Sequence, residues 1–204
     1  MAIFKSSAYH GKNFNNLDLQ AEAFEKFHFE NCTFSHCRLG DCLFQSCRFD
    51  HCTFIKCDLS LSRFTGSHFK EVNFCDSRLL GINWSDADWD SRSLLHIKRV
   101  DFDACLLDHS IFIGLDLRET AFKNCKAHSL DFDGANLAKA DFSGTDLVGT
   151  RFVGCDLSEA NFVGAENYMI NAAHNTLHKT RFALPEAIAL LHSLDIVLED
   201  QTDL

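Results

Sequence analysis

Large apolar residues recur at every fifth position along most of the chain: Phe14, Leu19, Phe24, Phe29, Phe34, Leu39, Phe44, Phe49 and Phe54 begin a series that runs to Phe74 and beyond. From Phe34 on, the residue two before the centre is mostly small. It is Cys32, Cys37, Cys42, Cys47, Cys52 and Cys57, then Ser62 and Ser67, and later Ala135, Ala140, Thr145, Thr150, Cys155, Ala160 and Ala165. The residue just before the centre is often polar, as at Asp58, Asn73, Asp101, Asp116, Asp131, Asn136, Asp141, Asp146, Asp156 and Asn161. A period of five matches neither the 3.6 of a helix nor the 2 of a strand, so both inward positions stay inside only if the chain bends after every fifth residue. Four pentapeptides then close a square coil of roughly twenty residues, and coils stack at about the 4.8 Å inter-strand spacing because their backbone groups must pair. The pattern predicts an all-β solenoid rod, with centres and small residues inside and the polar residue outside.

The beat is interrupted once. Centres keep one phase from Phe14 to Trp89 and resume at Phe102 shifted by three residues, across WSDADWDSRSLLHIKRVDF. A three-residue bulge at one corner accounts for the shift, with the bulky Trp84 and Trp89 rings straining the square or extruded from it. A projecting loop is the functional alternative, with Trp84, Trp89, Arg92, Lys98 and Arg99 as contact residues, because loops on rigid scaffolds often carry binding.

After Ala165 the beat fades, and ALPEAIALLHSL places Pro185 in a helix's first turn, Glu186 at its positive end and apolar residues at helical spacing. Ala187, Leu190, Leu191 and Leu194 form one stripe, flanked by Leu184 and Ile188, and a short strand is expected over Ile196 to Leu198. The chain therefore divides into a rod over residues 1–182, irregular at about 84–101 and fading over about 166–182, and a helix, strand and tail over 183–204. A helix this short is marginal alone, and a solenoid needs a cap. Leu184, Ile188, Leu191, Leu194, Ile196 and Leu198 offer more apolar surface than one coil end covers, which predicts a second copy across a two-fold axis.

Ten cysteines suggest disulfides or metal, but all except Cys75 occupy the small inward position, so they read as small buried hydrophobes. The eleven histidines are scattered without ligand spacing. No metal or cofactor is expected. Outward Asp, His and Arg on an open convex surface have no pocket to tune them, so no enzyme is expected either. The polar start and the lack of a long apolar run predict a cytoplasmic protein without membrane contact.

Net charge is −10, and its distribution is uneven: residues 1–99 carry twelve basic and twelve acidic side chains, residues 100–204 seven and seventeen. Residues twenty apart share a face, so Asp101, Asp141 and Asn161 form one outward column and Asp116, Asn136 and Asp156 another. Part of this acidity belongs to the fold, because Asp and Asn before a centre suit corner hydrogen bonding.

The stretch GANLAKADFSGTDLVGTRFVGCDLSEANFVGA, Gly134 to Ala165, matches the A(D/N)LXX motif nearly unit for unit. Over about residues 12–165 the chain resembles the pentapeptide-repeat family, which implies a right-handed quadrilateral β-helix. Its end, EAIALLHSLDIVL, resembles the topoisomerase-protecting branch: the quinolone-resistance Qnr proteins, MfpA, and the immunity proteins for microcin B17 and albicidin. That resemblance implies a DNA-mimicking homodimer without direct nucleic-acid binding. It would engage a type II topoisomerase, DNA gyrase first and topoisomerase IV second, and protect it from quinolones or a peptide toxin. The contact candidates are then Asp101, Asp116, Asp131, Asp141, Asp146, Asp156 and Glu159. The chain is read as lacking the long loop between coils found in the best-known quinolone-resistance members. The alternative is a generic interaction scaffold binding a signalling protein along one flat face.

Overall fold

The computed structural model describes Phe4, residues 6–89, residues 100–194 and Ile196. Its strands are three or four residues long or shorter and pair in parallel, each with the strand one coil on. One sheet joins β1 (Ala8–His10), β4 (His28–Glu30), β7 (Arg48–Asp50) and β9 (His68–Lys70). A second joins β2 (Asn13–Asn15), β5 (Thr33–Ser35), β8 (Thr53–Ile55), β10 (Val72–Cys75), β11 (Val100–Asp103) and β12 (Phe122–Lys123), and a third joins β3 (Ala23–Glu25) and β6 (Leu43–Gln45). Single bridges carry the same stacking through Asp141↔Asn161 to Asn161↔Arg181. The architecture is a quadrilateral parallel β-solenoid.

Register puts centre on centre: Phe14 pairs with Phe34, Phe34 with Phe54 and Phe54 with Phe74. Their rings stack down the face, Phe34 on Phe54 at 4.7 Å and Phe54 on Phe74 at 5.0 Å. Rings from adjacent faces meet edge to face, as do Phe112 and Phe122 at 5.6 Å. Both geometries suit the aromatic quadrupole, so one rod serves for stacking and edge contacts alike.

Each bend is made by the residue two after the centre, which adopts the left-handed conformation: φ is 54° at Asn16, 56° at Lys26, 53° at His51 and 59° at Glu159. For a non-glycine residue this costs about 1–2 kcal/mol. The corner amide recovers a hydrogen bond to the next coil, Asn16 N to Ser35 O at 3.0 Å and Lys26 N to Gln45 O at 2.9 Å.

A second set of donors lies inside. The small residue donates to the carbonyl of a centre in the preceding coil: Cys52 Sγ to Phe29 O at 3.3 Å, Ser67 Oγ to Phe44 O at 2.8 Å and Thr180 Oγ1 to Leu157 O at 2.8 Å. The cysteines are therefore buried donors as well as small hydrophobes, which explains their exchange with Ser and Thr. Nine are buried and free, and Cys75 is half-buried. Burial pushes the Cys42 and Cys155 thiols up to about 11 and that of Cys52 up to about 12.

The interruption is larger than three residues. Val72 pairs with Val100, Phe74 with Phe102 and Asn83 with Ile111, so this coil spans 28 residues instead of twenty. A five-residue beat reveals an insertion only modulo five, and eight leaves the same remainder as three. The extra residues lie between Trp89 and Val100, so the chain does carry an inserted segment; Arg92, Lys98 and Arg99 fall outside the described residues.

Trp84 is neither extruded nor a surface contact. It is fully buried, its ring between Phe64 at 5.4 Å and Phe112 at 5.8 Å. Trp89 is half-buried against the core and donates Nε1 to Trp84 O at 2.6 Å. In several other coils such a carbonyl meets an inward thiol or hydroxyl; here the corresponding residue is Leu115, and Trp84 O accepts the Ala87 amide at 3.1 Å. The indole is a second donor to the same oxygen.

Both ends are capped. Phe4 lies against Tyr9, Phe14, Phe24, Phe27 and Phe29, with ring centroids 5.4 to 6.1 Å apart. At the other end a 3₁₀ helix spans Glu186–Leu194. Its three-residue turn splits the expected stripe. Leu190 packs on the core together with Ala189. Ile188, Leu191 and Leu194 repeat along the outer side and are exposed by 44%, 37% and 50%. Leu184 and Ile196 are also exposed, whereas Leu198 falls outside the described residues.

Phe54→Ala should lower unfolding free energy by about 3–5 kcal/mol in urea titration, while Thr65→Ala, at an exposed position, should be nearly neutral. Equal effects would contradict this register. Under native conditions a thiol reagent should modify Cys75 first, the other nine reacting fast only after denaturation.

Candidate functional site

The acidic half of the rod is built from the corners outward. Where Asp or Asn precedes a centre, its Oδ1 accepts the amide two residues on: Asp131 from Asp133 N at 3.0 Å, Asp141 from Ser143 N at 3.1 Å, Asp156 from Ser158 N at 2.9 Å and Asn161 from Val163 N at 3.2 Å. This is an Asx turn, and it needs the carbonyl-type oxygen rather than the charge. The two expected columns are present, Asp101, Ala121, Asp141, Asn161 and Arg181 on one face and Asp116, Asn136, Asp156 and Thr176 on another.

Most of the seven candidate acids are matched within the rod. Arg118 donates Nε and Nη2 to Asp116 at 2.8 and 2.7 Å. Lys123 meets Asp141 at 2.9 Å, Arg151 lies 3.5 Å from Asp131, and His128 Nε2 is 2.8 Å from Asp146. Asp101 accepts Ala121 N at 2.7 Å. Burial alone would raise the Asp141 carboxyl, but Lys123, Ser143 and Asn161 together hold it below the usual carboxylate range. Asp146 is held down first by Asn167, against burial, and then by His128.

Among the described residues, Asp156 and Glu159 have no ion-pair partner, and neither do Glu119, Glu166 and Glu186, which the sequence reading did not single out. Three of the five, Glu119, Glu159 and Glu186, lie at corners or in the cap, where no Asx turn calls for an acid. Acids without an ion pair thus gather near the last coils and the cap, where Lys139, Lys179 and Arg181 among the described residues are also without one, and the exposed apolar face of Leu184, Ile188, Leu191, Leu194 and Ile196 lies at the same end. Trp89 is the one described loop candidate with partial exposure.

Among the described residues no group of three or more His, Cys, Asp or Glu could hold a metal ion, and no helix is long and apolar enough to cross a membrane.

A depressed carboxyl contributes stability above its unfolded value and loses it as pH falls through the folded one. Asp141 should therefore add to acid sensitivity below about pH 4. Thermal unfolding of Asp141→Asn should fall less steeply than wild type between about pH 5 and 3; parallel curves would remove the Lys123 contact from the stability of the rod.

The sequence matches the family model for the pentapeptide repeat region over residues 27–101 and 96–162. No curated protein matches it. Among solved structures, a trypsin-treated variant of QnrB1, a plasmid-mediated fluoroquinolone resistance protein, is 18% identical, covering 95% of this chain and 99% of that one with a TM-score of 0.57. A second trypsin-treated variant is 19% identical, covering 94% and 97% with a TM-score of 0.58. HetL, a pentapeptide repeat protein involved in heterocyst differentiation regulation in the cyanobacterium Nostoc, is 20% identical over 87% of each chain with a TM-score of 0.38. At these identities the likeness to QnrB1 is one of fold. With the repeat model covering more than half of the sequence, and coils in the register that the repeat demands, the chain belongs to the pentapeptide repeat family.

Proposed function

We propose that this protein is a homodimeric binding rod that engages a type II topoisomerase, DNA gyrase, in the cytoplasm and protects it from quinolones or a peptide toxin. The observation that carries the reading is the coincidence, at one end of a QnrB1-like rod, of acids without an ion pair and an exposed apolar face. Two copies joined there would bring Asp156, Glu159, Glu166 and Glu186 of both into one central negative zone. Duplex DNA carries one charge per about 1.7 Å of axis, so an acidic rod of similar width suits a basic groove built for duplex. The internal pairing of Asp116, Asp131, Asp141 and Asp146 moves the expected contact away from them and toward the last coils. It also favours the second reading, a scaffold whose acids chiefly serve the fold and which binds a signalling protein along one face.

Leu191→Asp with Leu194→Asp should yield monomer, since unpaired charges in an apolar interface cost several kcal/mol. Light scattering of a wild type that is already monomeric at micromolar concentration would remove the dimer. Lys at both Asp156 and Glu159 should abolish gyrase binding and protection in a supercoiling assay, while Asn at Asp141 and Asp146 should weaken them little. Binding should also fall as salt rises. A wild type that neither binds nor protects gyrase would leave the scaffold reading.

A further inference from the structure

The last coil departs from the arrangement that closes the others. At the glycine corners, Gly114 N donates to Asp133 O at 2.9 Å and Gly134 N to Val153 O at 2.8 Å, each nineteen residues on, but Gly154 N reaches His174 O, twenty residues on, at 2.9 Å. A local turn holds this slip: Asn171 Oδ1 accepts Ala173 N at 2.8 Å, and Asn171 O accepts His174 N at 3.2 Å. Inside, Asn175 replaces the usual small residue. Its Oδ1 accepts Cys155 N at 2.9 Å and its Nδ2 donates to Phe152 O at 2.9 Å.

The step leaves a cleft of about 340 Å³ on the rod's surface, lined by Gly154, Asp156, Ala173, His174 and Thr176 among others. Gly154 has φ of +69° and nothing within 4 Å of where a Cβ would stand, so one wall is bare backbone.

We infer that this cleft seats one basic side chain, a guanidinium or ammonium group, presented by a partner protein. Asp156 supplies the charge, and the Ser158 amide at 2.9 Å fixes how its carboxylate stands. Only Oδ1 is needed for that turn, and no basic side chain among the described residues pairs with the group. The Thr176 hydroxyl adds an uncharged acceptor beside the carboxylate, and the several N–H donors of a guanidinium call for more than one. An anion would face the Asp156 charge, and an apolar group would strand these acceptors. The inference rests on the proposed reading that the rod binds a protein, and it names the chemistry of one contact.

The test uses the full chain, ¹⁵N-labelled and titrated with methylguanidinium chloride at constant ionic strength. Saturable shifts confined to Gly154, His174, Thr176 and their neighbours are expected, with affinity falling about tenfold or more in Asp156→Asn. That variant keeps the turn, because Asn136 and Asn161 make it at the equivalent position. Asp156→Glu, which retains the charge, should keep saturable binding. Shifts that do not saturate, that spread along the rod, or that persist unchanged in Asp156→Asn would overturn the assignment. Saturable, Asp156-dependent binding in a protein that fails to bind gyrase would uphold the cleft and discard only that partner.

Discussion

Coil-to-coil hydrogen bonding at a fixed register is the constraint from which the rest of the molecule follows. The corner amide reaches forward to the next coil, as Asn16 N does to Ser35 O, and the inward thiol or hydroxyl reaches back, as Cys52 does to Phe29 O. Shifting a coil by one residue would break both sets and would also turn the Phe rings out of their stacks. The left-handed corners persist at residues as ill-suited as Lys26 and Leu61 because their amides are bonded to the next coil, Lys26 N to Gln45 O at 2.9 Å and Leu61 N to Leu80 O at 2.8 Å.

The same constraint divides the polar residues into those the fold consumes and those it leaves over. Asp131, Asp141 and Asp156 make the corner turn that Asn136 and Asn161 make equally well, so their charge is incidental to folding. Cross-coil bases then neutralise several of them. A count of carboxylates therefore overstates the negative field along most of the acidic half, and the acids without an ion pair lie mostly near the last coils, together with Lys139, Lys179 and Arg181. There the register slips at Gly154, the rod ends, and the apolar side of the 3₁₀ helix faces outward, so shape, charge and exposed hydrophobic surface coincide.

Where the repeat fails, packing repairs it with other chemistry. Leu115 stands where several coils have a thiol or hydroxyl, and Trp84 O takes the Ala87 amide and the Trp89 indole instead. Asn175 does for Phe152 O and Cys155 N with an amide what Ser67 does for Phe44 O and Cys47 N with a hydroxyl. Phe4 closes the first coil against five rings that would otherwise meet water. Each repair involves a residue outside the regular pattern, which is why the pattern alone gave no hint of it.

The amino-acid sequence by itself determined the coil, its twenty-residue register, the inward cysteines and the phenylalanine core, because a five-residue beat has few ways to bury two positions in five. It located the interruption but not its size, since periodicity is blind to whole repeats, and so eight residues read as three. It proposed Trp84 for the surface on grounds of bulk, whereas stacking between Phe64 and Phe112 gives an indole the same slot as a phenyl ring. The cap's spacing suited an α-helix, and only contact with the last coil selected the three-residue turn that separates Leu190 from Leu191. Which acids stay uncompensated was likewise decided by the tertiary structure. Electrostatic pairing depends on distance across coils, and Lys123 and Asp141 become neighbours at 2.9 Å only once the chain has gone almost once around the square.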